Sequence, residues 1–335
     1  MCRFLTDERW PRDTGIGRFA NEVLDRLQLE KERLDIKCSF SSLLNPIMIS
    51  KSIGKHKNRK TVFLPGYIPP IWSSVPYVFT VHDLNHLDRP ENASFLKSLF
   101  YRFFIKPGCH RAAAVLTVSE FSRQRIIEWS GVPAEKVINV GNGVDDAYSP
   151  NAEAYSPGYP YLLCVSNRKA HKNEPMLIRA FAQAQIDSNI RLLFTGKATE
   201  ELDELISSLG LESRVSFYGF VEEEQLPSLY KGALALVFPS LYEGFGLPVI
   251  ESMACGTPVI TSNCTSLPEV AGDAALLVDP SSPASISSAI EKLVSDIDLQ
   301  ESLTQRGLDQ AKKFTWDLTA QRVESVLLDA AKNKV

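Results

Sequence analysis

The chain has 335 residues, 44% apolar and 23% charged, with a formal net charge of −4 and six cysteines, the profile of a soluble globular protein long enough for two domains. No run approaches the ~20 uninterrupted apolar residues of a membrane span. The opening MCRFLTDERW is charged where a secretory leader is apolar, and Cys2, Cys38, Cys109, Cys164, Cys255 and Cys264 lack the spacing of a metal site or a disulfide framework, so a reducing, cytoplasmic setting is expected.

In chain order, strands are expected at Arg3–Thr6, Asp35–Phe40, Thr61–Leu64, Tyr77–Val81, Ala113–Val118 and Lys136–Val140, with helices at Gly17–Gln28, Ala93–Ile105 and Glu120–Ser130. The stretch Asp146–Pro160, with three prolines and two Ser-Pro pairs, reads as a linker. The alternation then restarts, with strands at Tyr161–Val165, Arg191–Thr195, Arg214–Tyr218, Ala233–Phe238, Pro258–Thr261 and Ala275–Val278. Helices at Glu174–Ala184, Glu200–Ser208, Glu223–Tyr230 and Leu247–Ala254 lie between them, and helices Pro283–Asp296, Leu299–Phe314 and Trp316–Ala331 close the chain. Strands buried on both faces and separated by helices mean parallel sheets. Two α/β, doubly wound domains are expected, 1–150 and 151–315, with the ligand in the cleft between them. The first half carries 21 Lys+Arg against 16 Asp+Glu and the second 15 against 24, so the halves are suited to different partners.

The most informative string follows the strand Ala233–Phe238. Glu243-Gly244-Phe245-Gly246 leads into a helix at Leu247, with Pro248 in its first turn where a missing N–H costs nothing. Glycines let a ligand approach the backbone closely, and first-turn N–H groups favour an anion. Glu251 lies eight residues beyond Glu243, about two helical turns on. Two carboxylates so placed can accept hydrogen bonds from two polyhydroxylated parts of one ligand. The bland alternative is a strand–turn–helix with two solvated glutamates.

The string E-G-F-G-L-P-x-x-E, followed by A-C-G-T-P-V-I and L-P-E-V-A-G-D-A-A-L-L-V-D-P, resembles glycosyltransferase family 4. The resemblance runs through nearly the whole chain. It takes in Gly15-Ile16-Gly17-Arg18 as an acceptor-side loop, Val81-His82-Asp83, Val118–Ser122, Gly141–Asp145 and the turn Ser166–Asn173, where Ser166 stands at a position more usually Gly. It implies a retaining, metal-independent GT-B enzyme of two Rossmann-like domains facing a central cleft, with the helix at 316–335 packing back toward the first domain. Arg168 and Lys172 are expected to neutralise the donor diphosphate. Glu243 would hold the transferred sugar and Glu251 the ribose. Gly244, Phe245, Gly246 and Leu247 would touch sugar and phosphate, Gly219 and Val221 the base, and His82 the sugar. Gly15, Gly17 and Arg18 would stand on the acceptor side. No enzyme nucleophile and no cofactor are expected, only a nucleotide sugar as co-substrate. The N-R-K-x-H-K-N and V-H-D-L segments resemble mannosyltransferases of bacterial surface polysaccharides, which implies GDP-mannose as donor and a glycan or lipid-linked glycan as acceptor. A UDP-hexose donor is the first alternative. A non-catalytic sugar-nucleotide-binding protein and a GT-B epimerase are the others.

Three further features have weaker readings. Asp296-Ile297-Asp298 ends a tail helix and reads as a solvated terminus rather than a metal site. Gly15–Ala20 fits G-x-G-x-x-A, but eight residues separate it from the end of its strand at Thr6, whereas a dinucleotide-binding glycine follows at once. The basic run Lys51–Lys60 and the aromatic FLKSLFYRFFI at Phe95–Ile105 read as a solvated loop and a buried helix, or together as peripheral membrane contact. No nucleic-acid partner is expected.

Overall fold

The computed structural model describes residues 4–12, 14–39, 42–56, 61–89, 91 and 95–332. Within them the chain forms two compact units, Met1–Gly143 with Trp316–Val335, and Val144–Thr315. Each is built on a sheet of six strands, and every ladder is parallel.

In the first unit the strands are β1 (Phe4–Thr6), β2 (Lys31–Arg33), β3 (Thr61–Leu64), β4 (Tyr77–Thr80), β5 (Ala114–Thr117) and β6 (Val137–Asn139), in the spatial order β2-β1-β3-β4-β5-β6. The central strands FLT, TVFL, YVFT and AVLT are buried throughout, as a parallel sheet covered on both faces requires. In the second unit they are β7 (Tyr161–Cys164), β8 (Arg191–Phe194), β9 (Val215–Phe217), β10 (Ala235–Phe238), β11 (Val259–Ser262) and β12 (Ala275–Val278), in the order β12-β11-β10-β7-β8-β9. Numbered within the unit this is 6-5-4-1-2-3, the dinucleotide-fold order. The chain leaves β7 and β10 in opposite directions, and ligands bind where such exits diverge. In the first sheet the reversal falls between β1 and β3.

The division differs from the expected break at residue 150. Val144 pairs with Thr315 and donates to Phe314 O at 3.1 Å, so both crossings between units lie side by side. The helix Trp316–Lys332 packs on Gly15–Arg26 and on β3, β4 and β5 within the first unit, burying Trp316 and Val323.

Several boundaries are corrected. The second strand is Lys31–Arg33, not Asp35–Phe40, whose Phe40 lies outside the described residues, as does Arg3 of the first expected strand. The ladder from β1 ends when Leu34 N–H reaches Thr6 O at 2.8 Å. An edge strand with one neighbour tolerates charge, so hydrophobicity misplaces it. The expected helix Ala93–Ile105, whose start lies outside the described residues, is instead an α-helix Phe95–Phe100, a π-turn Tyr101–Ile105 and an α-helix Lys106–Arg111. Pro107 cannot donate to the carbonyl four residues back, and Lys106 N–H bonds Tyr101 O five residues back. A helix Asn45–Gly54 takes up the start of the basic run, whose end at Lys57–Lys60 lies outside the described residues. No helix among the described residues is long and apolar enough to cross a membrane.

Candidate active site

In the second unit two loops leave the diverging strand ends. The first runs from β7. Ser166 N–H donates to Thr195 Oγ1 (3.0 Å), and Ser166 Oγ accepts from Arg168 N–H (3.3 Å). Arg168 and Asn173 both have φ of +62°, where few non-glycine residues sit. Between them Ala170–Lys172 makes one 3₁₀ turn. Asn173 Nδ2 donates to Pro239 O (3.0 Å) and Pro280 O (2.7 Å), tying this loop to the exits of β10 and β12. His171 is buried, and its carbonyl accepts from Leu241 N–H (2.7 Å) and Ser240 Oγ (3.0 Å). These bonds fix the turn against the second loop.

That loop carries the E-G-F-G string. Ser266 Oγ donates to the carbonyls of Glu243 (2.9 Å) and Phe245 (2.8 Å), and Glu243 N–H donates to Thr265 Oγ1 (3.3 Å). Gly246 caps the helix Leu247–Ala254 at φ +108°, and a Cβ there would stand 2.6 Å from Leu267 Cδ2. The consequence is one short contact: Lys172 Nζ meets Glu243 Oε1 at 2.8 Å, both side chains only 13–14% exposed, with the ammonium 4.8 Å above the Phe238 ring. The two loops thus place a cation, a carboxylate and a helix N-terminus together at the divergence of β7 and β10.

Arg168 is held differently. Its three guanidinium nitrogens go to the Glu174 carboxylate, to Thr195 O and to Lys197 O (2.7 Å), and the group lies 5.6 Å and 5.1 Å from the Phe194 and Phe217 rings. The structure therefore joins Lys172 to Glu243 and ties Arg168 to the buried Glu174. Glu251 is also inward. It is 3% exposed, and its Oε2 accepts from Tyr230 OH at 2.8 Å. Burial first, and then the Glu251 carboxylate, push the Tyr230 phenol well above its usual range. Gly219 has φ +90° and exchanges two backbone bonds with Gly196 (2.7 and 3.2 Å), which makes the Gly219–Val221 turn a fixed feature beyond β9.

In the first unit, the expected glycine loop is corrected to the first turn of a helix. Thr14 Oγ1 accepts from Gly17 N–H (3.0 Å), and Gly15, Gly17 and Arg18 all lie in Gly15–Arg26. A Cβ on Gly17 would stand 1.6 Å from Pro11 O, so this glycine answers to packing. His82 follows β4. Its Nε2 lies 3.1 Å from Pro65 O, just past β3, and its ring meets Phe19 edge-on at 4.9 Å. A carbonyl only accepts, so Nε2 carries the proton and Nδ1 is left as acceptor. Burial lowers the His82 pKa to about 4, against the raising effect of Pro65 O. The ring is neutral at neutral pH.

Sequence reasoning missed Asn173, Glu174, Tyr230, Thr265 and Ser266, which hold the named residues in place. It also missed the Asp7–Arg9 pair after β1, closed at 2.7 Å and tied by Arg9 to Asn45 Oδ1 (3.0 Å). Asn173 alone left a local signal, as one of the few residue types that tolerate positive φ. No group of three or more His, Cys, Asp or Glu is placed to hold a metal among the described residues.

Two all-parallel doubly wound units, the second with a charged pair where its strands diverge, define a GT-B glycosyltransferase. Residues 149–310 match glycosyl transferases group 1 and residues 58–148 match Glycosyltransferase Family 4. Similar proteins include O-antigen chain mannosyltransferase B of Escherichia coli, 30% identical over 94% of this chain and 96% of that protein. O-antigen chain mannosyltransferase RfbU of Salmonella typhimurium is 32% identical over 71% of this chain and 66% of its own. Among solved structures, sucrose-phosphate synthase of Thermosynechococcus elongatus superposes with TM-score 0.76 at 18% identity over 98% of this chain and 99% of its own. Anabaena HepE in complex with UDP and glucose gives 0.73 at 19% over 98% and 100%. The chain belongs to glycosyltransferase family 4.

Proposed function

We propose that this glycosyltransferase transfers α-mannose from GDP-mannose, with retention at the anomeric carbon, to a glycan or lipid-linked glycan of a surface polysaccharide. The observation that carries the reading is the Lys172–Glu243 contact at the divergence of β7 and β10. The likeness to two O-antigen mannosyltransferases supports mannose.

The bond between the anomeric carbon and the diphosphate oxygen breaks, and the acceptor hydroxyl oxygen takes its place on the same face. The hydroxyl proton passes to the departing diphosphate. Charge grows on that leaving group, so the Lys172 ammonium and the first-turn N–H groups of Leu247–Ala254 stabilise the transition state. This supplies the role a metal ion would otherwise fill. Glu243, steadied by Lys172, accepts a sugar hydroxyl. Glu251, oriented by Tyr230, takes the ribose, and Gly219 and Val221 border the base. Arg168 joins the diphosphate only by leaving Glu174. His82 offers Nδ1 to a sugar hydroxyl, and the helix start at Gly15, Gly17 and Arg18 stands on the acceptor side. Peripheral contact with a membrane, on the cytoplasmic side, belongs to the same reading.

A thermal-shift panel of nucleotide sugars tests the donor, since a ligand that binds the native state raises Tm. GDP-mannose is expected to give the largest shift, and a larger one with a UDP-hexose overturns the assignment. An inverted product linkage would overturn retention, and loss of transfer in EDTA would overturn metal independence.

A further inference from the structure

At the carboxyl ends of the first sheet the exits of β1 and β3 diverge, one leading toward β2 and the other toward β4, and a ligand crevice belongs at such a point. The side chains that meet there are aromatic. Trp10 follows β1 and Tyr67 follows β3, both half-buried, with ring centroids 5.8 Å apart and planes tilted by 54°. The indole lies so close over Gly66 that a Cβ there would stand 1.9 Å from its Cζ2. Pro65 O meets His82 Nε2 at 3.1 Å, which carries the rim on to the exit of β4. Tyr101 lies beyond, its ring 6.4 Å from that of Tyr67. Burial first, and then the Asp83 carboxylate and the Tyr67 phenol, push the Tyr101 phenol well above its usual range, so the three oxygen-bearing groups stand near one another. Among the described residues neither the Tyr67 nor the Tyr101 hydroxyl has a hydrogen-bond partner, and both oxygens keep contact with solvent although Tyr101 is only 4% exposed. A buried tyrosine ordinarily finds a partner for its hydroxyl. These loops also bring no unpaired cation among the described residues. Arg9 is taken by both oxygens of Asp7, Arg12 pairs with Asp25, and His82 is neutral at neutral pH.

A pyranose ring has a face of C–H groups and a rim of hydroxyls. The C–H face lies well on the electron-rich face of an aromatic ring. The hydroxyls accept from phenols and donate to a carboxylate. An apolar ligand would leave the phenols unmet, and an anion would meet carboxylates with no countercharge beside them. We propose that the crevice between the exits of β1 and β3 binds an uncharged pyranose of the acceptor, with its C–H face on Trp10 and Tyr67 and its hydroxyls at the Tyr67 and Tyr101 phenols and the Asp83 carboxylate. The proposal rests on the transferase reading above and names the side chains that select the acceptor. Binding of the sugar itself requires neither donor nor transfer.

The full chain, without nucleotide sugar, is titrated with methyl α-mannoside and separately with mannose 6-phosphate, and saturation-transfer NMR reads which ligand protons the protein touches. The mannoside should bind, and the phosphate far more weakly. Tyr67→Phe and Tyr101→Phe each delete one hydroxyl and keep the ring. Because neither hydroxyl has a protein partner to lose, each variant should keep the parent Tm, while its Kd for the mannoside rises roughly three- to ten-fold, as the loss of one hydrogen bond predicts. A merely structural role for the phenols would move Tm and leave that Kd alone. No binding of the mannoside, equal or tighter binding of the phosphate, or the parent Kd in both variants would each overturn the proposal. A mannoside bound and weakened as expected, in a protein that transfers no sugar, would count against the transferase reading and leave the sugar site standing.

Discussion

The two sheets end in opposite electrostatic conditions. At the carboxyl ends of the second, Lys172 and Glu243 form a charged contact of 2.8 Å beside a helix N-terminus. At those of the first, His82 is held neutral between Pro65 O and the Phe19 edge. The same sheet architecture thus carries two different rims. In the function proposed above, the first of these rims would answer charge that grows on a leaving group, and the other would offer an uncharged acceptor to hydroxyls. What differs is the loops, and above all whether a polar side chain meets a charge or a carbonyl.

The largest effect expected from breaking this contrast is at Lys172. Lys172→Ala removes the cation nearest Glu243 and leaves a carboxylate with little solvent to replace it. Transfer should fall by about 10²–10³ in kcat/KM, measured with saturating acceptor. Glu243→Gln in the Lys172→Ala background should cost far less than it does alone, because the two act as a unit. Additive losses would separate their roles.

Next is Gly17→Ala. The added Cβ meets a backbone oxygen at 1.6 Å, which cannot rotate away, whereas at Gly246 it meets a flexible Leu267 methyl at 2.6 Å. Gly17→Ala should cost the first unit about 3 kcal/mol, near the upper end for overpacking. Unchanged urea unfolding would return this glycine to a ligand-binding role.

Acid should act on the first rim next. A neutral His82 with a pKa of about 4 binds fewer protons than the unfolded chain, whose imidazole titrates near its ordinary value of 6.5. Stability is therefore level above that value and falls as pH drops toward 4. The loss is about 2 kcal/mol, less than the full linkage value because the ring is only half-buried. His82→Gln should flatten this limb in urea titrations at successive pH values. An unaltered slope would mean that another group carries it.

Much of the second unit was legible because its signals are local. The bounds of Leu247–Ala254 and of Ala275–Val278 were read correctly, since one begins after glycines with a proline in its first turn and the other is a short apolar run closed by Asp-Pro. β2 was misread because KER carries no apolar pattern, and its place comes from Phe4 and Thr6 alongside. The helix Asn45–Gly54 was missed because its last turn, from Lys51, was read as the start of a basic loop. Within the site, the residues named from the motif were local to it, but their partners were not. Lys172 and Glu243 lie 71 positions apart, and Asn173 reaches 66 and 107 positions to its two carbonyls. Spacing along a chain does not encode such contacts. Arg168 shows the same limit at short range, because its turn to Glu174 depends on a positive φ that no pattern announces.

The smallest expected effect is also the most discriminating. Tyr230 donates to Glu251 Oε2 from a site without solvent exposure, so Tyr230→Phe keeps the ring and removes one charge-assisted hydrogen bond. Such a bond contributes about 1.5–3 kcal/mol when its acceptor is charged. A purely structural Glu251 would lower Tm and leave KM for the donor unchanged. If Glu251 instead holds the ribose, the phenol orients that carboxylate, and its loss should raise the donor KM several-fold at nearly constant kcat, the signature of lost uniform binding. Donor saturation curves on the variant, taken well below its melting temperature, distinguish the two. An unchanged KM would leave Glu251 a buried anchor of the helix Leu247–Ala254 and move ribose recognition elsewhere.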